Sequence, residues 1–172
     1  MLKIFLAGQD KKNIIDWKAH GYEICGEADD GELSFPMIKS LKPDIVITDV
    51  DMPYIGGLEL GKLIKKDMPE VEIIILTDNN EFECAKEAIN AGFFAYLLNP
   101  VSEEELFGII DSAALEIEKA TYFEQRISGR SPENMLAIYD KVLDERIFVT
   151  PVGWEYLKFL QARLKEEGID AD

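Results

Sequence analysis

Short apolar runs alternate with amphipathic helical patterns along the first 120 residues of the chain. Most of the runs are rich in Ile, Leu and Val, as is typical of strands buried on both faces of a parallel sheet. Five runs separated by helical patterns predict an α/β fold with a doubly wound, five-stranded parallel sheet. The predicted strands cover 3–7, 22–27, 44–49, 72–77 and 94–98. The predicted helices cover 32–41, 58–66, 82–91 and a segment that begins after Ser102, and a short helix passes through Ile14, Ile15 and Trp17.

Polar residues gather where the predicted strands end. In a parallel sheet of this kind, the functional site lies at the carboxyl ends of the strands. Acids and hydroxyl groups are therefore expected to meet at one edge of the sheet, although this arrangement alone names no function. The residues at these ends are Gly8, Gln9 and Asp10; Asp49 and Asp51; Thr77 and Asp78; Asn99 and Pro100.

The charge of the chain narrows the choice of partners. The 172 residues carry a formal net charge of −16, so we expect neither general nucleic-acid binding nor attachment to an acidic membrane. Basic protein partners fit better. No apolar run approaches the ~20 residues of a membrane helix, and the N-terminus does not resemble a signal peptide. With Cys25 and Cys84 expected as reduced, buried thiols, the sequence predicts a cytoplasmic protein.

The motifs, in their order and spacing, resemble the receiver domain of bacterial two-component response regulators. The resemblance covers about residues 1–120 and implies the flavodoxin-like receiver fold, here followed by a C-terminal helical extension. The stretches that carry the resemblance are 42–53, 56–60, 73–77, 81–83, 85–88, Gly92 and 96–101. The residues in these stretches most resemble those of receivers that precede AraC-type DNA-binding domains.

The resemblance implies roles for four residues. Asp49 falls at the phosphoacceptor position, and the backbone carbonyl of Asp51 falls where the family's magnesium ion binds. Thr77 falls at the hydroxyl position that contacts the phosphoryl group. Tyr96 falls at the aromatic switch position. Such a site needs cations and hydrogen-bond donors because phosphoryl transfer depends on positioning and charge neutralisation.

Four positions depart from the family's pattern. Gly8 and Gln9 replace the acidic pair that would hold magnesium, while Asp10 falls one position later. Asn99 replaces the lysine, and Asp78 replaces a small residue next to Thr77. We therefore predict no resident cofactor and inefficient phosphorylation of Asp49.

Two alternatives to this altered pocket remain open. A rearranged metal site could use Asp10, Asp49 and Asp78. Asp49 could instead be only a polar residue that caps nearby amides, with Thr77 and Tyr96 serving in packing.

The family signals through its fourth helix, fifth strand and fifth helix. The loop before the fifth strand reads Phe93-Phe94 here, and one of the two rings should pack inward. We predict a homodimer, and we predict that Phe94 marks a contact surface for the second subunit or for the chain's own tail. The alternative is a merely buried ring.

Residues 121–172 lie outside the resemblance. A turn at 128–130 and the start signals Ser131-Pro132 and Thr150-Pro151 predict two further helices. About fifty residues are too few for a robust core, so we expect this tail to dock, pair with another copy or await a partner. Two apolar stripes line the predicted helices: Met135, Leu136, Ile138, Tyr139, Val142 and Leu143 in the first, and Trp154, Leu157, Leu160 and Leu164 in the second.

Four functions can be proposed for this sequence. The leading prediction is a signalling protein of the response-regulator type that acts by phosphorylation-independent protein binding. The alternatives are an ordinary switch phosphorylated on Asp49 and a transcription regulator that binds DNA through its tail, which carries ten acidic and seven basic residues. An enzyme is not predicted, because the chain has no glycine-rich phosphate loop and no nucleophile–histidine pair. His20 is expected to be solvated.

Overall fold

The chain folds around a five-stranded parallel sheet with the strand order β2-β1-β3-β4-β5. A computed structural model describes residues 1–8, 15–144 and 151–171. The predicted doubly wound α/β fold is confirmed. The strands are β1 (Leu2–Ala7), β2 (Tyr22–Ala28), β3 (Ile45–Thr48), β4 (Glu72–Thr77) and β5 (Ala95–Leu98), and the helices are α1 (Gly31–Leu41), α2 (Gly57–Asp67), α3 (Phe82–Asn90), α4 (Glu103–Ile127), α5 (Pro132–Asp144) and α6 (Pro151–Glu166).

The sheet is buried on both faces because successive side chains in a strand point to opposite sides. Helices α1, α2 and α3 cover one face, where Ile38, Leu60 and Ile64 pack against Phe5 and Ile75. Helix α4 covers the other face. The side chains packed there are Ile4, Leu6, Ile45, Ile47, Ile74 and Leu76 from the sheet and Leu106, Phe107, Ile110, Ala113 and Ala114 from α4.

Side chains fix the starts of two helices. The Asp30 carboxylate accepts a hydrogen bond from the Leu33 amide at 2.7 Å, at the start of α1. The Ser102 hydroxyl accepts one from the Glu105 amide at 3.0 Å, which confirms the start predicted for α4. Both bonds satisfy amides that have no partner within the first turn of their helix.

The segment before β2 differs from the predicted short helix. Ile14 lies outside the described residues, and Trp17 precedes a single 3₁₀ turn at Lys18–His20. His20 is exposed, as predicted for a solvated histidine, but it also makes contacts that the sequence did not predict. The imidazole ring is exposed on one side but stacks on Phe107 at 3.6 Å, and its Nε2 lies 3.2 Å from Glu103 Oε1. Because Trp17 and Tyr22 also contact Phe107, aromatic rings cover this end of α4.

The chain divides into two compact units, Met1–Ile117 and Glu118–Asp172. The boundary predicted from the sequence lies three residues later, after residue 120. In the second unit, Ile127 near the end of α4 packs with residues of α5 and α6, and Leu160 and Leu164 are fully buried. The last turns of α4, which fall within the predicted tail, thus share a buried cluster with α5 and α6. That the tail docks, pairs with another copy or awaits a partner stays a prediction. In the described part of the chain, no helix is long and apolar enough to cross a membrane.

Candidate functional site

Two predicted site residues meet at the carboxyl ends of β3 and β4. These strands pair in parallel with Thr48 opposite Ile75, so Asp49 and Thr77 emerge side by side. The Thr77 hydroxyl donates a hydrogen bond to Asp49 Oδ1 at 2.5 Å, and the Asp51 amide approaches the same oxygen at 3.3 Å. Thr77 is fully buried and Asp49 is half-buried. The Asp49 carboxylate is thus held by two donors from the chain itself.

Asn79, which the sequence analysis did not single out, lies at the centre of the loop after β4. Its amide donates to the Thr77 hydroxyl oxygen at 3.2 Å. Its side-chain nitrogen donates to Asp51 Oδ2 at 3.3 Å, and its side-chain oxygen accepts from the Glu81 amide at 2.9 Å. The only feature of the sequence that could have predicted these bonds is the residue type, since an Asn side chain in a loop commonly bonds the backbone two residues further along the chain.

Tyr96 reaches this loop from β5. Its phenol donates a hydrogen bond to the Asn79 carbonyl at 2.8 Å. Burial raises the pKa of the phenol, and the nearby Cys84 and the carboxylates of Asp51, Glu81 and Asp49 raise that pKa further. Tyr96 therefore remains protonated at neutral pH and can act as a donor.

Gly8 and Met52 occupy the side of the pocket that faces β1. Gly8 has a φ of +68°, in the left-handed region that favours glycine. A Cβ atom at Gly8 would lie 2.7 Å from Met52 Sδ and 3.5 Å from Asp49 Cβ. The methionine side chain thus lies where a longer residue at position 8 would begin.

The remaining pocket residues contribute no positive charge. Asn99 is half-buried, its amide donates to the Thr77 carbonyl at 2.9 Å, and the Asn99–Pro100 peptide is cis. Asp51 and Asp78 are exposed. Gln9 and Asp10 lie outside the described residues.

Comparison with known proteins assigns the first unit to a family. A family model described as the response regulator receiver domain matches residues 9–111. The chain belongs to the response regulator receiver family. Receiver domains are generally signalling modules rather than enzymes, and response regulators interact with other proteins and often, through effector domains, with DNA.

Curated relatives extend well beyond the part that matches this receiver domain. The uncharacterized transcriptional regulatory protein YesN of Bacillus subtilis is 36% identical over 125 residues, which cover 69% of this chain and 34% of YesN. The transcriptional regulatory protein PdtaR of Mycobacterium tuberculosis is 34% identical over 116 residues, which cover 66% of this chain and 55% of PdtaR. The chain therefore spans between a third and slightly more than half of the length of these relatives.

Solved structures give the same fold. The REC domain of AraT, a response regulator from Geobacillus stearothermophilus, superposes with a TM-score of 0.61 at 28% identity. The match covers 70% of this chain and 98% of the AraT domain.

The described residues of the receiver domain do not fit the magnesium ion that the family implies. Magnesium prefers carboxylate, carbonyl and water oxygens, and a thioether is a poor ligand for it. Here the Met52 thioether lies beside Gly8, where the family has an acid, and Asp49 Oδ1 accepts a hydrogen bond from the Thr77 hydroxyl. Among the described residues, no three His, Cys, Asp or Glu side chains are grouped so that they could hold a metal ion.

The two phenylalanines before β5 pack on opposite faces of the sheet. Phe93 is buried among residues of α2 and α3, and a Cβ atom on Gly61 would lie 2.1 Å from its ring. Phe94 is half-buried against the cluster that α4 covers. The inward-packing ring is thus Phe93, and the role of Phe94 in a contact surface stays a prediction.

Proposed function

We propose that this receiver domain is a binding module that signals without magnesium-dependent phosphorylation of Asp49. The observation that supports the proposal is the Asp49 carboxylate itself. Its Oδ1 accepts a short hydrogen bond from Thr77, and Met52 fills the space beside Gly8. A hydroxyl that contacts the phosphoryl group in the family here contacts the bare carboxylate.

The charge of the pocket supports the same proposal. Phosphoryl transfer concentrates negative charge, which cations at the site must neutralise. Asn99 is neutral at the family's lysine position. Asp51 lies beside Asp49, and Asp78, which follows Thr77 in the chain, is a further exposed carboxylate. An incoming phosphodonor would therefore meet repulsion rather than stabilisation.

Incubation with acetyl phosphate and magnesium should leave the intact mass of the protein unchanged. The physical reason is that the pocket provides neither the acid pair nor the lysine that would hold a phosphoryl group on Asp49. Intact-protein mass spectrometry measures the result directly. Light scattering with and without beryllofluoride, a phosphoryl mimic, should likewise show no change of assembly.

The control is a receiver domain with the full set of acids and the lysine, treated with the same donor. A mass gain of one phosphoryl group in this chain that disappears in Asp49→Asn would contradict the proposal. It would instead favour the predicted alternative, an ordinary switch phosphorylated on Asp49.

The surface beside β5 is the best candidate for the binding face. β5 is an edge strand, and a cleft of about 490 Å³ lies next to it. Phe82, at the start of α3, is 75% exposed and Leu98 is 45% exposed. We name this cleft the β5 groove, and its lining residues are Asn80, Glu81, Phe82, Ala85, Tyr96, Leu97, Leu98 and Glu105.

The β5 groove fits an apolar segment that carries basic residues. The charged residues that line it, Glu81 and Glu105, are both acidic, and the whole chain has a net charge of −16. Two copies meeting through the same groove would bring these acids together, which costs free energy. A basic partner therefore suits this face better than a second copy, whereas a homodimer would need another surface, such as the one predicted at Phe94.

A synthetic helical peptide with a leucine stripe and lysines elsewhere should bind the protein, with an affinity that falls as salt rises. Replacing Phe82 by serine should weaken binding about tenfold, because truncation of an aromatic anchor commonly costs more than 1 kcal/mol. Glu81→Lys should reduce the salt dependence. Fluorescence anisotropy at several salt concentrations measures both effects.

The matched control peptide carries glutamates in place of the lysines and should not bind. Equal binding of both peptides, or full affinity in Phe82→Ser, would show that the β5 groove is not a site for basic partners. Because Phe82 is exposed, the serine variant should keep its thermal stability.

DNA binding through the tail has no specific observation in its favour. Arg163 pairs with Glu124 at 2.6 Å and with Glu166 at 3.5 Å, and Lys158 pairs with Glu155 at 2.9 Å. These cations are already partly neutralised by neighbouring acids, which weakens any attraction to phosphates. A cytoplasmic location remains part of the proposal, because the described Cys25 and Cys84 are free thiols.

A further inference from the structure

We infer that Asn79 is a positioning residue that couples the Asp49 pocket to the ring of Tyr96 and keeps both in one arrangement without a phosphoryl group. The inference rests on the proposed function, since it assigns to this chain's own side chains the role that a phosphoryl group would otherwise have. Asn79 lies in the loop that joins β4 to α3. This loop separates the Asp49 pocket from the β5 groove.

A continuous chain of hydrogen bonds runs from Asp49 to Tyr96. The Thr77 hydroxyl donates to Asp49 Oδ1 at 2.5 Å and accepts from the Asn79 amide at 3.2 Å. The Asn79 carbonyl accepts from the Tyr96 phenol at 2.8 Å. This chain of hydrogen bonds passes through the backbone of Asn79, so a change at the Asp49 carboxylate that moves this backbone also moves the acceptor of the Tyr96 phenol.

The side chain of Asn79 fixes that backbone from two directions. Its nitrogen donates to Asp51 in the loop after β3, at 3.3 Å, and its oxygen accepts at 2.9 Å from the amide of Glu81, the residue that precedes α3. One side chain thus ties together two loops and the start of a helix. The carbonyl that receives the Tyr96 phenol is held in place by these two bonds.

Only an amide side chain of this length satisfies both partners. Asp51 offers a carboxylate oxygen, which requires a donor, and the Glu81 amide requires an acceptor. A rotated amide would place its oxygen against Asp51 and its nitrogen against the Glu81 amide, so both contacts would become unfavourable. An aspartate at position 79 would keep the acceptor but would add negative charge beside Asp51.

The protonation state of Tyr96 supports this arrangement. Burial and the surrounding acids keep the phenol protonated, so it can donate to the Asn79 carbonyl across the neutral pH range. Each hydrogen bond contributes modestly, but loss of the two side-chain bonds of Asn79 is sufficient to change the ratio of two ring positions about tenfold. That ratio is the quantity to measure.

Fluorine NMR of protein labelled with 3-fluorotyrosine provides the test. The resonance that is missing in Tyr96→Phe identifies the Tyr96 ring. We expect one sharp Tyr96 resonance in the native chain, and a shifted or doubled resonance in Asn79→Ala and in Asn79→Asp. The matched control is Asn90→Ala, a change at an exposed asparagine at the end of α3 and outside the β5 groove, which should leave the resonance unchanged.

A double variant separates positioning from a general loss of structure. Asn79→Asp combined with Asp51→Asn exchanges the amide and the carboxylate, so that one donor and one acceptor again face each other. We expect it to restore the single resonance that Asn79→Asp alone disturbs. Far-UV circular dichroism should be the same in all variants.

An unchanged Tyr96 resonance in Asn79→Ala, or a double variant that fails to restore it, would overturn the inference. The samples contain no phosphodonor, so this outcome is separate from the outcome of the acetyl phosphate experiment. A phosphoryl adduct on Asp49 would defeat the proposed function, whereas the fluorine spectra decide the role of Asn79.

Discussion

Replacing Gly57 by alanine should lower the free energy of unfolding of the receiver unit by about 3 kcal/mol or more. Gly57 is the first residue of α2, and its amide donates to the Val50 carbonyl at 2.9 Å. A Cβ atom there would lie 1.8 Å from the carbonyl oxygen of Asp49 and 2.7 Å from its carbonyl carbon. Both neighbours are backbone atoms, so the strain cannot be relieved by turning a side chain.

The same strain should reach the pocket. If the start of α2 shifts to make room, the Asp49 backbone shifts with it, and its contacts with Thr77 and Asp51 change. We therefore expect Gly57→Ala to alter the Tyr96 fluorine resonance as well as stability. Urea unfolding in a Trp154→Phe background measures stability, because Trp17, which is buried in the receiver unit, is then the only tryptophan.

Gly108→Ala is the matched control for this prediction. Gly108 lies inside α4, and a Cβ atom there would meet nothing within 4 Å. The substitution should raise the free energy of unfolding by about 0.5–1 kcal/mol, because alanine favours the helix over glycine. If the two variants change stability in the same direction, close approach at Gly57 is not the cause.

The sheet could be predicted from the sequence because four of its strands are largely apolar runs and β2 alternates polar and apolar residues. The prediction of 72–77 coincides with β4, Glu72–Thr77, and the ends of the other strands differ from their predictions by at most one residue. Parallel strands buried on both faces need nothing beyond this pattern to be recognised. The placement of Asp49 and Thr77 at one edge of the sheet could be predicted from the same pattern, since each lies at or just after the end of a strand.

The inner connections of the pocket could not be predicted in this way. Asn79 bonds Tyr96 seventeen positions away and Asp51 twenty-eight positions away. Contacts between residues this far apart produce no repeating pattern of residue types from which they could be predicted. The position of Met52 beside Gly8 could not be predicted either, because it depends on how the loop after β3 folds back towards β1.

The tail shows a different limit of sequence reasoning. Its two apolar stripes were predicted, but the part that the end of α4 takes in the same buried cluster was not. Ile127 near the end of α4 completes a cluster with Met135 of α5 and Leu157 of α6. The buried cluster of the second unit therefore draws on three helices, whereas the sequence predicted two.

Replacing Leu160 by alanine should destabilise the second unit by about 2 to 5 kcal/mol, the range found for large-to-small changes in a packed core. Leu160 is fully buried in α6, where it packs with Tyr139 of α5 and Ile127. Gln161 lies beside it and bonds both the Tyr139 hydroxyl at 3.1 Å and the Ala171 carbonyl at 3.0 Å, so loss of the leucine also loosens the C-terminal end. Leu115→Ala removes the same atoms from a side chain that is 53% exposed in the first unit and should cost less than about 0.5 kcal/mol.

Hydrogen exchange followed by mass spectrometry can assign the effect of Leu160→Ala to one unit. The amides of α5 and α6 should exchange faster, while those of β4 should keep their protection, because the two units have separate buried clusters. Equal acceleration in β4 and α6 would mean that the units unfold as one cooperative structure. In that case the tail would be part of the receiver's own stability, and any partner that binds it would act directly on the pocket of Asp49.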